Sequence, residues 1–294
     1  MLVGFYCPDK ERVLLSVCLK SCRMGSRCLT LPTLGIMSKD RVWNGTASTT
    51  MLLNGTRESC LKITKEYYIN PQSRAWSVQG SKHHQGLEDK AKELGLAAEV
   101  PLSIDRDIMD LLELEDGAIV LSDYKLWGSY HVVKAIGIVE AGKIPDPSGG
   151  CYKSSGKWGK AGTVKMINSY VIDPDKADNW ETEMQLNNYR IKLAALGIKV
   201  DRMRIQATVR DGSTIVAYSR GVNENIYMIP VKVLLDDEVK HYFMVKQDLL
   251  HEALSTGVTD PCTPRESWEF KKCKEYCDVW EYCDQGIALR SMKQ

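Results

Sequence analysis

No run of apolar residues in this chain approaches the length needed to cross a bilayer, which excludes a membrane-spanning helix. Nor is there an excess of charge: 39 Lys and Arg stand against 38 Asp and Glu, a net charge of +1. That balance argues against nonspecific coating of nucleic acid and leaves room for a local basic patch only. The N-terminal Met1–Cys7 is soon followed by Asp9, Lys10, Glu11 and Arg12, so no export signal is read there. Asn44-Gly45-Thr46 and Asn54-Gly55-Thr56 match glycosylation acceptors but, without export, read as turns. The expected compartment is a cytoplasm. Thiols stay reduced there. A phosphate-binding P-loop is also missing: Cys151 stands where its first glycine should be, and Trp158 where Ser or Thr should follow the lysine.

What is present is enough to fold. With 294 residues, 44% of them hydrophobic and 26% charged, the chain can bury a full core and carry small modules beside it. Cysteine is scarce in the middle, where only Cys60 and Cys151 fall, and dense at the ends. Cys7, Cys18, Cys22 and Cys28 follow the spacing C-x10-C-x3-C-x5-C, and so do Cys262, Cys273, Cys277 and Cys283. Three gaps matching in order point to two metal sites, each knitting a terminus too short to form its own core. Within each quartet the x3 pair is expected on one face of a helical turn. Zinc more often takes a C-x2-C knuckle, so zinc and an iron–sulfur cluster both stay open as occupants.

The expected organisation is an N-terminal four-cysteine module at 1–40, a core at 41–256 and a C-terminal four-cysteine module at 257–294. Ser48-Thr49-Thr50 reads as a helix start, and a second helix covers 81–94 with Gly95 as its stop. Strands are expected at Val100–Ile104, Ile108–Leu114, Ala118–Tyr124 and His131–Val139. After an insertion at 141–180 and a helix at Glu181–Leu196, strands are expected at Val200–Val209, Thr214–Ser219, Ile226–Leu235 and Tyr242–Val245. A last helix is expected at Lys246–Leu254. This alternation gives an α/β layer structure with a mixed central sheet flanked by helices.

The candidate chemistry lies in this core. Asp123 and Lys125, two apart on a strand, project to one face. Asp110 is on the preceding strand, expected opposite Asp123 across the Glu115-Asp116-Gly117 turn and within reach of a shared cation. Oxygen ligands of this kind suit Mg²⁺ or Mn²⁺, and a nearby lysine stabilises charge on a scissile phosphate. Glu113 and Glu115 are expected to be solvated. His84 and Glu88 share one face of a helix, as do Gln185 and Tyr189 on a later one. His84 can ligate a metal or hold its water, and Gln185 with Tyr189 offers hydrogen bonds to a phosphate and an aromatic face to a base. In the insertion, Lys153, Lys157, Lys160 and Lys165 surround Tyr152 and Trp158, a composition that can grip a DNA backbone and stack on a base.

In this order the elements Gly80-x3-His84-x3-Glu88, Asp110, Asp123-Tyr124-Lys125 and Gln185-x3-Tyr189 resemble the PD-(D/E)xK nuclease superfamily. The likeness is to its RecB-like branch, which includes CRISPR-associated exonucleases and phage-encoded relatives, and it spans about residues 45–250. It implies a restriction-endonuclease-like core, with His84, Asp110, Asp123 and the backbone carbonyl of Tyr124 on the metal and Lys125 catalytic. The Gln185/Tyr189 helix would lie beside the site. Asp107 stands where the family usually has glycine, a change expected to perturb the strand or bring another carboxylate to the metal. The family often holds a [4Fe-4S] cluster on one cysteine before the core and three after it. Cys273, Cys277 and Cys283 resemble the trailing three, and Cys60 is placed to be the leading one. Because Cys262 completes a local quartet, two self-contained sites are expected instead, with Cys60 an ordinary helix thiol.

The function implied is a metal-dependent deoxyribonuclease, an exonuclease acting on DNA ends or single-stranded regions. The alternative is a DNA-binding or adaptor protein on the same scaffold with weak catalysis. In a third reading the cysteine modules are redox or regulatory elements.

Overall fold

The computed structural model describes residues 1–102, 107–157 and 159–292. The chain is mixed α/β and divides into two compact units. The first is Met1–Leu112 with Met184–Val200 and Val233–Gln294, and the second is Glu113–Glu183 with Asp201–Lys232.

The first unit begins with strands β1 (Leu2–Tyr6) and β2 (Arg12–Leu14), which pair antiparallel around a turn closed by Cys7 N–H to the Glu11 carbonyl at 2.8 Å. Short helices α1 (Leu15–Lys20), α2 (Leu31–Met37), α3 (Thr49–Leu53) and α4 (Thr56–Thr64) follow. The Ser48 hydroxyl caps α3 by accepting from Met51 N–H, as the Ser-Thr-Thr run implies. Strand β3 (Tyr67–Ile69) then pairs parallel with β1, giving the order β2-β1-β3. Leu2, Phe5, Val13, Leu34, Met37, Tyr67, Ile69 and Val279 form a core in this unit, against which Cys7, Cys18 and Cys277 pack. The N-terminal segment therefore shares a core with residues far along the chain and does not depend on a metal for all its burial.

Helix α5 (Ala75–Glu93) starts earlier than expected and ends before Gly95, whose φ of +72° suits glycine. Strand β4 (Ala97–Pro101) pairs antiparallel with the first half of β5 (Ile108–Glu115). Of the strand expected at Val100–Ile104, Ser103 and Ile104 lie outside the described residues.

In the second unit the end of β5 turns through Asp116 and Gly117, both at positive φ, into β6 (Ala118–Trp127). An Asp-Gly pair with both residues left-handed is the hairpin turn that matches strand twist. Residues 129–136 form helix α6 (Ser129–Ile136) where a strand was expected. The Asp211 carboxylate accepts from Ser129 N–H (2.6 Å) and hydroxyl (2.7 Å) at its start, left-handed Gly137 ends it, and Val132 and Ala135 bury one face. The expected insertion is largely an antiparallel ribbon, β7 (Ile138–Pro145) with β8 (Met166–Ile172).

Helix α7 (Trp180–Ala195) matches expectation within a residue at each end. Strand β9 (Arg202–Val209) pairs parallel with β6, then antiparallel with β10 (Ile226–Pro230), so this unit's order is β10-β9-β6-β5. Between them, Thr214–Ser219 forms no strand: Thr214 caps the short helix α8 (Ile215–Tyr218). The strand expected at Tyr242–Val245 lies instead within α9 (Asp236–Thr256). Three acids in the first turn and a buried line of Val239, Phe243, Lys246, Leu250 and Ala253 override the local β preference. Helix α10 (Asp284–Ser291) closes the chain. No described helix is long and apolar enough to cross a membrane.

Candidate functional site

Within the first unit, α5 presents His84 toward β4 and β5. The His84 Nδ1 lies 3.5 Å from Asp110 Oδ2 and 3.8 Å from Glu99 Oε1, and the ligand atoms of all three residues lie within 4.8 Å of one another. The β4–β5 register sets this up: pairs Ala98–Leu111 and Val100–Met109 bracket Glu99 and Asp110. Two carboxylates side by side repel unless a cation lies between them. Burial pushes the Glu99 acid up, His84 draws it back, and Glu88 adds to the rise. Glu99 also sits at a φ of +51°, uncommon for a residue with a side chain. Nothing in its spacing marks it, and sequence reasoning missed it.

Glu88, one turn along α5, has its carboxylate on Lys92 and Gln85, so it serves a helix-surface network beside the triad. The ring of His83 meets His84 edge-on, with centroids 6.4 Å apart. Gln185 and Tyr189 are both buried on α7, where the Gln185 side-chain amide donates to the Tyr189 hydroxyl at 3.3 Å.

Asp107, expected to disturb the strand or join the metal, does structural work elsewhere. Its buried carboxylate accepts from Thr49 N–H (2.8 Å) and hydroxyl (2.6 Å) at the start of α3 and pairs with Lys192 at 2.5 Å. Asn188 donates to the same Thr49 hydroxyl at 2.6 Å. A glycine could do none of this. Asp107 is not part of the His84, Glu99 and Asp110 group.

In the second unit, β6 carries Asp123, 2% exposed, and Lys125, whose ammonium lies 2.7 Å from Asp123 Oδ2. Tyr124, between them, is buried on the other side of the strand and is paired in register with Gln206 of β9. Glu113 and Glu115 are not left to solvent: Arg204 bridges both, with its Nη1 2.6 Å from Glu115, and its Nε donates to Ser122 at 3.0 Å. Lys153, Lys157 and Lys160 are exposed in the loop joining β7 to β8, and Trp158 lies outside the described residues. The Tyr152 ring lies over Gly159, where an added Cβ would stand 2.3 Å from it.

Both cysteine quartets belong to the first unit, and each lines a single recess. Cys7, Cys18, Cys22 and Cys28 share one with Arg23, Arg27 and Leu34. Cys262, Cys273, Cys277 and Cys283 share one with Arg57, Glu58 and Lys272. The helical-turn expectation for the x3 pairs fails at both: α1 ends at Lys20, before Cys22, and a turn at Lys272–Tyr276 ends just before Cys277. Burial, then the neighbouring Cys7, Cys28 and Cys22, push the Cys18 thiol up. Burial drives Cys262 to about 11 and Cys277 to about 12, with nearby carboxylates adding to it. Cys60 lines neither recess; its buried thiol lies 3.5 Å from the Ala253 carbonyl. No family model matches the chain, and neither a curated protein nor a solved structure does.

Proposed function

We propose that this chain is a metal-dependent deoxyribonuclease with a restriction-endonuclease-like core, cleaving DNA from ends or in single-stranded regions. The observation that carries it is the convergence of His84, Glu99 and Asp110, one imidazole and two carboxylates from a helix and two paired strands. Such a donor set fits Mg²⁺ or Mn²⁺, with Glu99 added to the residues implied by the family resemblance. When bound, a divalent ion supplies Lewis acidity toward a phosphate oxygen and acidifies its water. His84, Glu99 and Asp110 orient that ion, and the Asp107–Thr49–Lys192 bonds anchor the backbone three residues before Asp110. By resemblance Asp123 would be a further ligand of the ion and Lys125, paired with it at 2.7 Å, the group that stabilises charge on the scissile phosphate. Gln185 and Tyr189, hydrogen-bonded to each other on α7, are the helix pair the resemblance sets beside the site, and the exposed lysines of the β7–β8 loop contact the DNA backbone.

The test is degradation of linear and single-stranded DNA by purified protein with Mg²⁺ or Mn²⁺, repeated with Asp123→Ala. Activity should fall by at least a hundredfold in the variant, on the scale of one lost electrostatic contact to the reacting phosphate. Metal-dependent cleavage that survives Asp123→Ala overturns the assignment. DNA retardation without products under any divalent ion gives the binding-protein reading instead.

A further inference from the structure

We propose that the N-terminal recess formed by Cys7, Cys18, Cys22 and Cys28 is an iron–sulfur site that takes a [4Fe-4S] cluster, rather than a zinc knuckle. Four cysteines reach it from separate pieces of chain: Cys7 follows β1, Cys18 lies in α1, and Cys22 and Cys28 flank a turn at left-handed Gly25. Zinc would draw the four sulfurs together. Zn–S bonds of about 2.3 Å at tetrahedral angles place sulfurs about 3.8 Å apart. Yet among the described residues only His84, Glu99 and Asp110 bring three ligand atoms within 4.8 Å of one another, so no three of these sulfurs do. They line a recess and do not close on a single point. A cube of iron and sulfide binds its ligands on four corner irons and needs that wider spacing.

The lining also suits an anionic occupant. A [4Fe-4S]²⁺ core held by four thiolates carries two negative charges, and Arg23 and Arg27 both line the recess. Arg27 is fixed by donating to the Cys18 carbonyl (2.7 Å) and the Leu19 carbonyl (3.2 Å), while Arg23 pairs with Asp9 at 2.5 Å and faces the Cys7 thiol. Cys22 is held by donating its thiol proton to the Ser26 carbonyl at 3.0 Å, a bond that ligation would replace. Insertion of a preassembled cube needs no net redox change. At each cysteine an S–H bond breaks, an Fe–S bond forms and the proton passes to solvent.

The site stands apart from the nuclease reading, and its test does not use cleavage. The full chain is purified and reconstituted anaerobically with ferric iron, inorganic sulfide and a thiol reductant. Iron, acid-labile sulfide and zinc per chain are then measured in wild type, Cys18→Ser/Cys22→Ser and Cys273→Ser/Cys277→Ser. The N-terminal variant should lose about four irons and four sulfides relative to wild type. The C-terminal variant should keep about that number, with broad absorption near 400 nm of the kind such clusters give. Iron unchanged by the N-terminal substitutions overturns the proposal, as does loss of one zinc in place of iron. If the N-terminal variant does not fold, the C-terminal variant decides: retained iron and sulfide support the site, and their absence overturns it.

Discussion

The recess at Cys7, Cys18, Cys22 and Cys28 is framed by turns with one exposed ion pair beside it, whereas the one at Cys262, Cys273, Cys277 and Cys283 is set in a buried charge network. Cys28 is exposed, while Cys273 and Cys283 are buried. Beside the first, Arg23 and Asp9 pair in solvent. Beside the second, the buried Glu58 carboxylate takes Lys272 at 2.5 Å and Lys62 at 2.8 Å, Lys272 donates to Asn54 at 2.8 Å, and Arg57 approaches the Cys283 sulfur at 3.8 Å. The identical spacing therefore fixes which residues meet and says nothing about what surrounds them. The two sites differ in the charges packed beside them and in how deeply individual cysteines are buried.

The comparison breaks most visibly at Glu58. Burial alone would raise its acid, but Lys62 and Lys272 more than offset that and hold it below the usual carboxylate range. Glu58→Gln leaves the buried Lys272 ammonium without its carboxylate and should cost about 3–5 kcal/mol in urea unfolding at pH 7. A loss below measurement error would show that the network carries no stability. The sign of the pH effect follows. A depressed acid contributes stability above its unfolded value, 4.5, and loses it as pH falls through the lower folded value. Wild type should weaken across that window, and Glu58→Gln should weaken less.

A smaller effect is expected at Gly55. Its φ of −60° is open to any residue, but an added Cβ would stand 2.4 Å from the Cys262 sulfur. Gly55→Ala should cost about 1–3 kcal/mol and lower metal retention at the C-terminal recess while leaving the N-terminal one loaded. Equal metal loss from both would mean the two recesses are not independent. Asp9→Asn at the exposed Arg23 pair should leave the unfolding midpoint unchanged. A clear downward shift would show that the N-terminal recess leans on its ion pair after all.

How much could be read in advance differs by residue. The quartets were legible because three spacings repeat, and α7 because a long run of helix-forming residues has two acids in its first turn and a lysine in its last. The Asp116-Gly117 turn was legible from its dipeptide alone. Most of His131–Val139, and all of Tyr242–Val245, were not: only Ile138 and Val139 fall in a strand, and the remaining runs sit in helices set by a distant cap at Asp211 and by a long buried face. Glu99 was hidden for another reason. A single acid in Ala97–Pro101 acquires meaning only through its register against Asp110, and register is a property of two strands. Asp107 looked like a damaged motif because its partners, Thr49 and Lys192, are 58 and 85 residues away.

A divalent ion held by His84, Glu99 and Asp110 is what nuclease chemistry in this chain requires first. Calorimetric titration of Mn²⁺ into wild type, Glu99→Ala and Asp110→Ala tests it directly, with folding checked by circular dichroism. The prediction is one binding event in wild type that Asp110→Ala abolishes and Glu99→Ala weakens at least tenfold. Unchanged Mn²⁺ affinity in both folded variants would contradict it.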